Sequence, residues 1–262
     1  MTWIEAVILI VSGVFVGFIN TLAGGGSIIS LSVLMFLGLP AGIANGTNRV
    51  AILIQSIAAV GSFRQQKVLD HKKGLLLAIP ATIGSVLGAW IAVDLNEDII
   101  EKTIAVVMLI MVFFILYRPE TWLKGQIDLQ NQKINARQMI IFFCIGIYGG
   151  FLHLGVGYFL LAGIVLGAGF DLVKANAIKN LIVLIWAPAI LVVFYLNDQI
   201  LLSYGLTLAI GNVAGALIAS RMAVKKGANF VRWVIIIVIL LTIAHVFGLI
   251  DVKIGVEALL NR

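Results

Sequence analysis

Residues 24 to 49 read Gly24-Gly25-Gly26-Ser27, then an apolar run, then Gly38-Leu39-Pro40, and then Ala44-Asn45-Gly46-Thr47-Asn48-Arg49. A polar, helix-breaking stretch between apolar runs is a poor way to cross a bilayer, because each unpaired backbone group in hydrocarbon costs several kcal/mol. It is well suited to lining a cavity. Three successive glycines let amide N–H groups turn inward together, and Ser27 then opens a helix whose positive end points back at the turn. Clustered N–H donors at a helix start are anion-binding chemistry.

The surrounding chain is a membrane protein. It is 61% hydrophobic and 11% charged, with a mean hydropathy of +1.12, far from the range of a soluble domain. The net charge of +6 sits in short loops between apolar runs, as cytoplasmic retention requires, and leaves no basic face for nucleic acid. Cys144 is the single cysteine and lies in an apolar run, so no disulfide or cysteine metal cluster forms within one chain. His71, His153 and His245 are scattered over different segments and supply neither a metal centre nor a nucleophile and base, so no enzyme, metal or cofactor is expected. Residues Met1 to Glu5 carry no basic n-region, so the first apolar segment is expected to be retained.

Apolar segments run at 3–22, 27–37, 44–63, 74–93 and 98–117, and again at 138–154, 158–169, 178–196, 201–220 and 230–249. Between the two sets of five lies one hydrophilic linker, 118–137. The halves match: Gly13 through Phe18 aligns with Gly146 through Phe151, Gly24 with Gly157, Thr47-Asn48 with Lys179-Asn180, and Gly84 and Gly88 with Gly211 and Gly215. The last four read best as packing glycines. Arg64, Lys67, Lys72 and Lys73 mark the loop after the third segment as cytoplasmic, whereas its counterpart at Asn197-Asp198 has no cation and reads as external. The repeats are therefore inverted, the arrangement in which secondary transporters hold substrate near the midplane.

Segments 27–37 and 159–169 reach only ~16 Å into a core of ~30 Å, so neither spans alone. Each forms a hairpin with the preceding helix, which brings Gly26 and Gly157 together near mid-depth. The expected fold is an all-α polytopic membrane protein with inverted repeats 1–117 and 138–262, a cytoplasmic linker, and broken or re-entrant hairpins meeting at the centre. Trp3, Trp90, Trp122 and Trp233 read as interface anchors, and Asp94, Glu97, Asp98 and Glu101 as a solvated loop.

These motifs resemble the sulfite and organosulfonate exporters grouped as TauE/SafE-like (TSUP) transporters. The resemblance rests on Gly24 to Ser27, on Ala44 through Ala51, on Gly149-Gly150-Phe151 through Gly155-Val156-Gly157, and on Lys174 through Leu181, and it covers nearly the whole chain. It departs where a proline is expected soon after the glycines and Ser30-Leu31-Ser32 stands instead. The resemblance implies export of a small anion, sulfite or an organosulfonate such as sulfoacetate, from the cell inner membrane by alternating access. A passive channel, or a carrier of another small organic or sulfur oxyanion, are the alternatives. A purely structural subunit would account for the glycine-rich helices but not for polar motifs paired between the halves.

The candidate substrate-binding residues are Gly24, Gly25, Gly26, Ser27, Thr47, Asn48, Arg49, His153, Gly155, Gly157, Lys179 and Asn180. Arg49 lies ~22 Å along its helix from Arg64, within the apolar layer, where an unpaired guanidinium calls for a substrate anion or must snorkel to headgroups. Lys179 has the same two readings, its position near the inner edge favouring the second. Thr47, Asn48 and Asn180 either donate to an oxyanion or cap hairpin backbone. His153, the repeat equivalent of Asn20, is either a proton carrier or a structural histidine.

Overall fold

A computed structural model describes residues 1–94, 129–130 and 134–246. The expected segment 98–117, most of the linker, Trp122 and the acidic trio Glu97, Asp98 and Glu101 lie outside the described residues. The first half supplies α1 (Trp3–Leu22), α2 (Ser27–Phe36), α3 (Ala41–Gln65) and α4 (His71–Asp94). The second supplies α5 (Ala136–Phe151), α6 (Val156–Ala162) running into a π-helical turn (Gly163–Gly167), α7 (Leu172–Leu196) and α8 (Leu202–Val246). No strand occurs among the described residues. Trp3–Leu22, His71–Val93, Leu172–Leu196 and Leu202–Val238 are long and apolar enough to cross a membrane. The protein is an all-helical, polytopic membrane protein, as its hydropathy requires.

Helix limits depart from the apolar runs for a local reason. Counting apolar residues stops at a polar one, whereas a helix stops only where its backbone bonds or caps fail. Asp171 accepts from the N–H groups of Val173 and Lys174 at 2.9 and 3.0 Å, which starts α7 six residues before the apolar run and brings Asn176, Lys179 and Asn180 into its first turns. Pro40 likewise starts α3 at Ala41, so that Asn45 through Arg49 are helical. The two last segments remain two helices joined end to end within α8, parted at Gly227, whose φ of 76° and ψ of −176° break the helix.

The halves pack by exchange. The first helix of the first half, α1, lies along α8, and α4 lies along α5, with α3 and α7 between them at the centre. Glycine makes both contacts possible: Gly13 and Gly17 abut the backbone at 208–212, while Gly84 and Gly88 abut 143–151. Gly146, Gly150, Gly211 and Gly215 return the contact from the other side. A Cβ added at Gly88 would overlap the Ile147 carbonyl, whereas one at Gly61 meets nothing within 4 Å. Gly88→Ala is therefore expected to cost about 1–3 kcal/mol and to lower the melting temperature of the detergent-solubilised protein by several degrees. Gly61→Ala should leave it unchanged or higher, since alanine is the better helix former. Equal melting of the two variants would remove close backbone approach as the basis of this packing. Trp3, Trp90 and Trp233 are exposed.

Candidate functional site

Both hairpin turns are buried. Residues 20–27 and 152–158 are shielded throughout, and each turn reverses on a left-handed glycine, Gly24 at φ 82° and Gly155 at φ 65°. The turns touch backbone to backbone: a side chain on Gly24 would overlap the Gly157 Cα, and one on Gly157 would overlap the Gly24 Cα. The expected partner of Gly157 was Gly26. That glycine already has helical geometry, φ −68° and ψ −18°, and faces Val16 and Asn20 within its own hairpin, so Gly24 makes the contact instead. The Gly24 N–H is spent on the Ile19 carbonyl at 3.0 Å, so this first glycine amide closes α1 rather than turning inward. Ser27 is the first residue of α2, and its Oγ accepts from Asn20 Nδ2 at 3.4 Å. Of the two hydroxyls that replace the expected proline, Ser30 bonds back to the Ser27 carbonyl at 3.1 Å and Ser32 faces outward.

The two cations end on these hairpins, each reaching from its own half into the other. Arg49 donates to the carbonyls of Gly149 at 2.6 Å and Gly150 at 2.9 Å, and Asn45 Nδ2 donates to that of Phe151 at 3.2 Å. These are the last carbonyls of α5, the groups a helix leaves without partners of its own. Lys179 Nζ donates to the carbonyls of Asn20 at 2.8 Å and Thr21 at 2.9 Å, and Asn180 Nδ2 to that of Thr21 at 3.3 Å, at the end of α1. In each half a cation and an amide on the third helix cap the first helix of the other half, where the helix dipole is negative. Snorkelling is thereby replaced for both residues, since Arg49 is 1% and Lys179 2% exposed. Among the described residues neither has a carboxylate within ion-pair distance, so both charges are solvated by neutral groups.

His153 completes the Arg49 side. Its Nδ1 lies 3.2 Å from an Arg49 nitrogen that can only donate, so Nδ1 accepts and the ring proton sits on Nε2. The ring is packed edge-on against Trp186 with centroids 6.0 Å apart, and Arg49 stands 5.5 Å from the Phe194 ring centre. Tyr148 fixes the turn by donating to the Leu154 carbonyl at 2.5 Å.

The amides matched between the halves have diverged. Asn180 spends its N–H groups on Thr21 and on the Asn176 carbonyl at 2.8 Å, the capping role. Asn48 is fully buried with neither its oxygen nor its nitrogen bonded. Thr47 accepts from the Leu201 N–H at 2.9 Å and so serves the loop before α8. Arg49 Nε, Thr21 Oγ1, Asn20 Oδ1 and the Tyr158 hydroxyl, which lies against Gly25, are also buried without partners. Buried polar atoms are bonded in the great majority of cases, so such a collection is what sets this region apart.

Sequence reasoning passed over Thr21, Tyr158, Asn45 and Asn176. Two of them carried a usable signal: Asn45 stands four residues before Arg49, and Asn176 three before Lys179, each on the helical face of its cation. Asn176 Oδ1 accepts from Lys179 at 2.7 Å, and Asn45 Oδ1 from Arg49 at 3.3 Å.

The family profile described as sulfite exporter TauE/SafE matches residues 9–246, the span that holds both hairpins and both cations. The chain belongs to the TauE/SafE family. It is 28% identical over 232 residues to a probable membrane transporter protein of Sinorhizobium, covering 88% of this chain and 87% of that one. It is 27% identical over 223 residues to the probable membrane transporter protein YfcA of Escherichia coli, covering 85% and 82%. To a probable membrane transporter protein of Haemophilus influenzae it is 26% identical over 232 residues, covering 88% and 89%. No solved structure matches this chain. The TauE/SafE chain described here is thus a multi-pass membrane transporter.

Proposed function

We propose that this transporter exports small anions, sulfite or a small organosulfonate such as sulfoacetate, across the cell inner membrane. It does so by alternating access at a site between two inverted repeats whose linker is cytoplasmic. The observation that carries this reading is the pair of buried cations, Arg49 and Lys179, with no carboxylate beside either among the described residues. Neutral carbonyls relieve part of the desolvation of a buried cation but leave its charge uncancelled, so the site favours an anion. The unbonded donors of Asn48, Arg49 and Tyr158 suit an oxyanion, and the family's name supports a sulfur-centred one. The reciprocal capping of hairpins between halves supports alternating access, because any motion of one half against the other must act on both hairpins at once.

The test is counterflow of labelled anion in proteoliposomes over a panel of sulfite, sulfoacetate, thiosulfate and carboxylates. Unlabelled sulfite or sulfonate on the far side should accelerate uptake. Flux without acceleration indicates a channel, and acceleration by carboxylates alone removes sulfur from the reading. In the same assay Asn48→Ala should raise KM about tenfold, the loss of one hydrogen bond to a charged group, with the melting temperature unchanged. Asn180→Ala should do the reverse, lowering the melting temperature through the uncapped α1 end while moving KM little.

A further inference from the structure

We propose that the seam between α3 and α8 is the hydrated passage by which the anion moves between the buried site and the end of the molecule carrying Arg64 and Arg221. This rests on the anion-transport reading above. On α3 the buried residues Asn48, Gln55 and Ser62 recur every seven positions, two helical turns, and so share one face. Facing them, α8 presents Asn212 and Ser220, both fully buried. Asn212 Nδ2 donates to Gln55 Oε1 at 3.1 Å, Ser220 Oγ to Ser62 Oγ at 2.7 Å, and Gln66 Nε2 to Ser62 Oγ at 3.1 Å. From Asn48 to Ser62 the line runs ~21 Å, most of a hydrocarbon layer of ~30 Å.

Interhelical hydrogen bonding accounts for the paired atoms of this line. It does not account for those left over, since Asn48 at both ends of its amide and Asn212 Oδ1 are buried without partners. Glue also does not explain why only one half needs it. With Asn48 matched to Asn180, Gln55 corresponds to Ala187 and Ser62 to Phe194 in α7. There α7 packs on α4 within an apolar core that includes Leu77, Ala78, Ala81 and Ile190. Two seams of like geometry therefore differ in chemistry, and the polar one leads away from the site.

Its far end is suited to anions. Arg64 lies two residues beyond Ser62, Arg221 adjoins Ser220, and Lys67 and Lys225 follow, all exposed. Asp70 is the one acidic residue within 64–73 and 220–229. A basic rim of this kind raises the local anion concentration at a mouth.

The experiment uses the full chain with Cys144→Ser, which removes the single native thiol. Gln55→Cys and Ser62→Cys are exposed to a membrane-impermeant sulfonated methanethiosulfonate in vesicles of both orientations. Both thiols should react from the face bearing the 66–70 loop, at least tenfold faster than Ala187→Cys and Ile190→Cys in the apolar core. Independently, Ser62→Leu, which fills the outlet, should lower counterflow at least tenfold, while Ser62→Ala stays within twofold of wild type. Equal reactivity of the two seams, or unimpaired counterflow by a folded Ser62→Leu protein, overturns the passage. The two readings fail separately: a silent seam with intact anion counterflow refutes only the passage, and a reactive seam without wild-type counterflow refutes only the transport of the tested anions.

Discussion

Arg49→Ala is expected to lower anion flux per folded molecule by at least a hundredfold, and also to lower stability measurably. The second effect follows from the structure: removing the guanidinium leaves the buried Gly149 and Gly150 carbonyls, the Asn45 side chain and His153 Nδ1 without this donor. Each orphaned acceptor costs about 1–3 kcal/mol before relaxation. Arg49→Lys should recover stability better than flux, because one ammonium can reach a carbonyl but cannot hold two adjacent ones in a fork while offering a further N–H to substrate. Asn45→Ala separates the two roles. It removes the cap of Phe151 and leaves the charge in place, so it should cost stability with a flux loss below tenfold. Flux is measured in proteoliposomes after selecting monodisperse protein, and stability by thermal melting in detergent. An Arg49→Ala protein that transports normally would reduce Arg49 to a helix cap and remove the main support for an anion site.

The same residue shows what the sequence could and could not convey. A guanidinium inside an apolar helix is visible as an expense, and its position beside Asn48 in a segment matched between the halves is visible as a pattern. Its partners are not, because they are backbone carbonyls 100 and 101 positions away, and a carbonyl is the same at every residue. Lys179 was misjudged for the same reason: depth along its own helix suggests snorkelling, whereas the end of α1, 159 positions away, draws it inward. Four packing glycines were legible, since Gly84, Gly88, Gly211 and Gly215 serve the close contacts their spacing suggests, whereas Gly13, Gly17, Gly146 and Gly150, read only as matched between the halves, make such contacts too. The turn was legible to within two residues, with α2 opening at Ser27 as read; the choice of Gly24 over Gly26 depended on which of three adjacent glycines takes the left-handed φ, which residue type cannot tell apart. Tyr158 gave no signal at all. An aromatic residue in an apolar run reads as core until a structure shows its hydroxyl unbonded against Gly25.

Export should be electrogenic and follow the membrane potential. Among the described residues, acidic residues on the helices occur only at the ends, Glu5 in the first turn of α1 and Asp94 as the last residue of α4. Glu5 is engaged there by the Thr2 N–H at 2.9 Å and the Tyr204 hydroxyl at 3.0 Å. Among the described residues no carboxylate relay for protons runs beside Arg49 and Lys179, whose fixed charges instead favour an anion moving without a coupled proton. One elementary charge moved through 100 mV is worth ~2.3 kcal/mol, so a monoanion at equilibrium should redistribute about fiftyfold in favour of the positive side. The measurement is flux of labelled anion from vesicles under an imposed potassium diffusion potential, with both sides clamped at one pH. His153 is the remaining route to proton coupling, and its bond from Arg49 makes the test specific. Flux that ignores the potential and instead follows a pH gradient, in wild type but not in His153→Ala, would replace a potential-driven uniport with proton coupling through that ring.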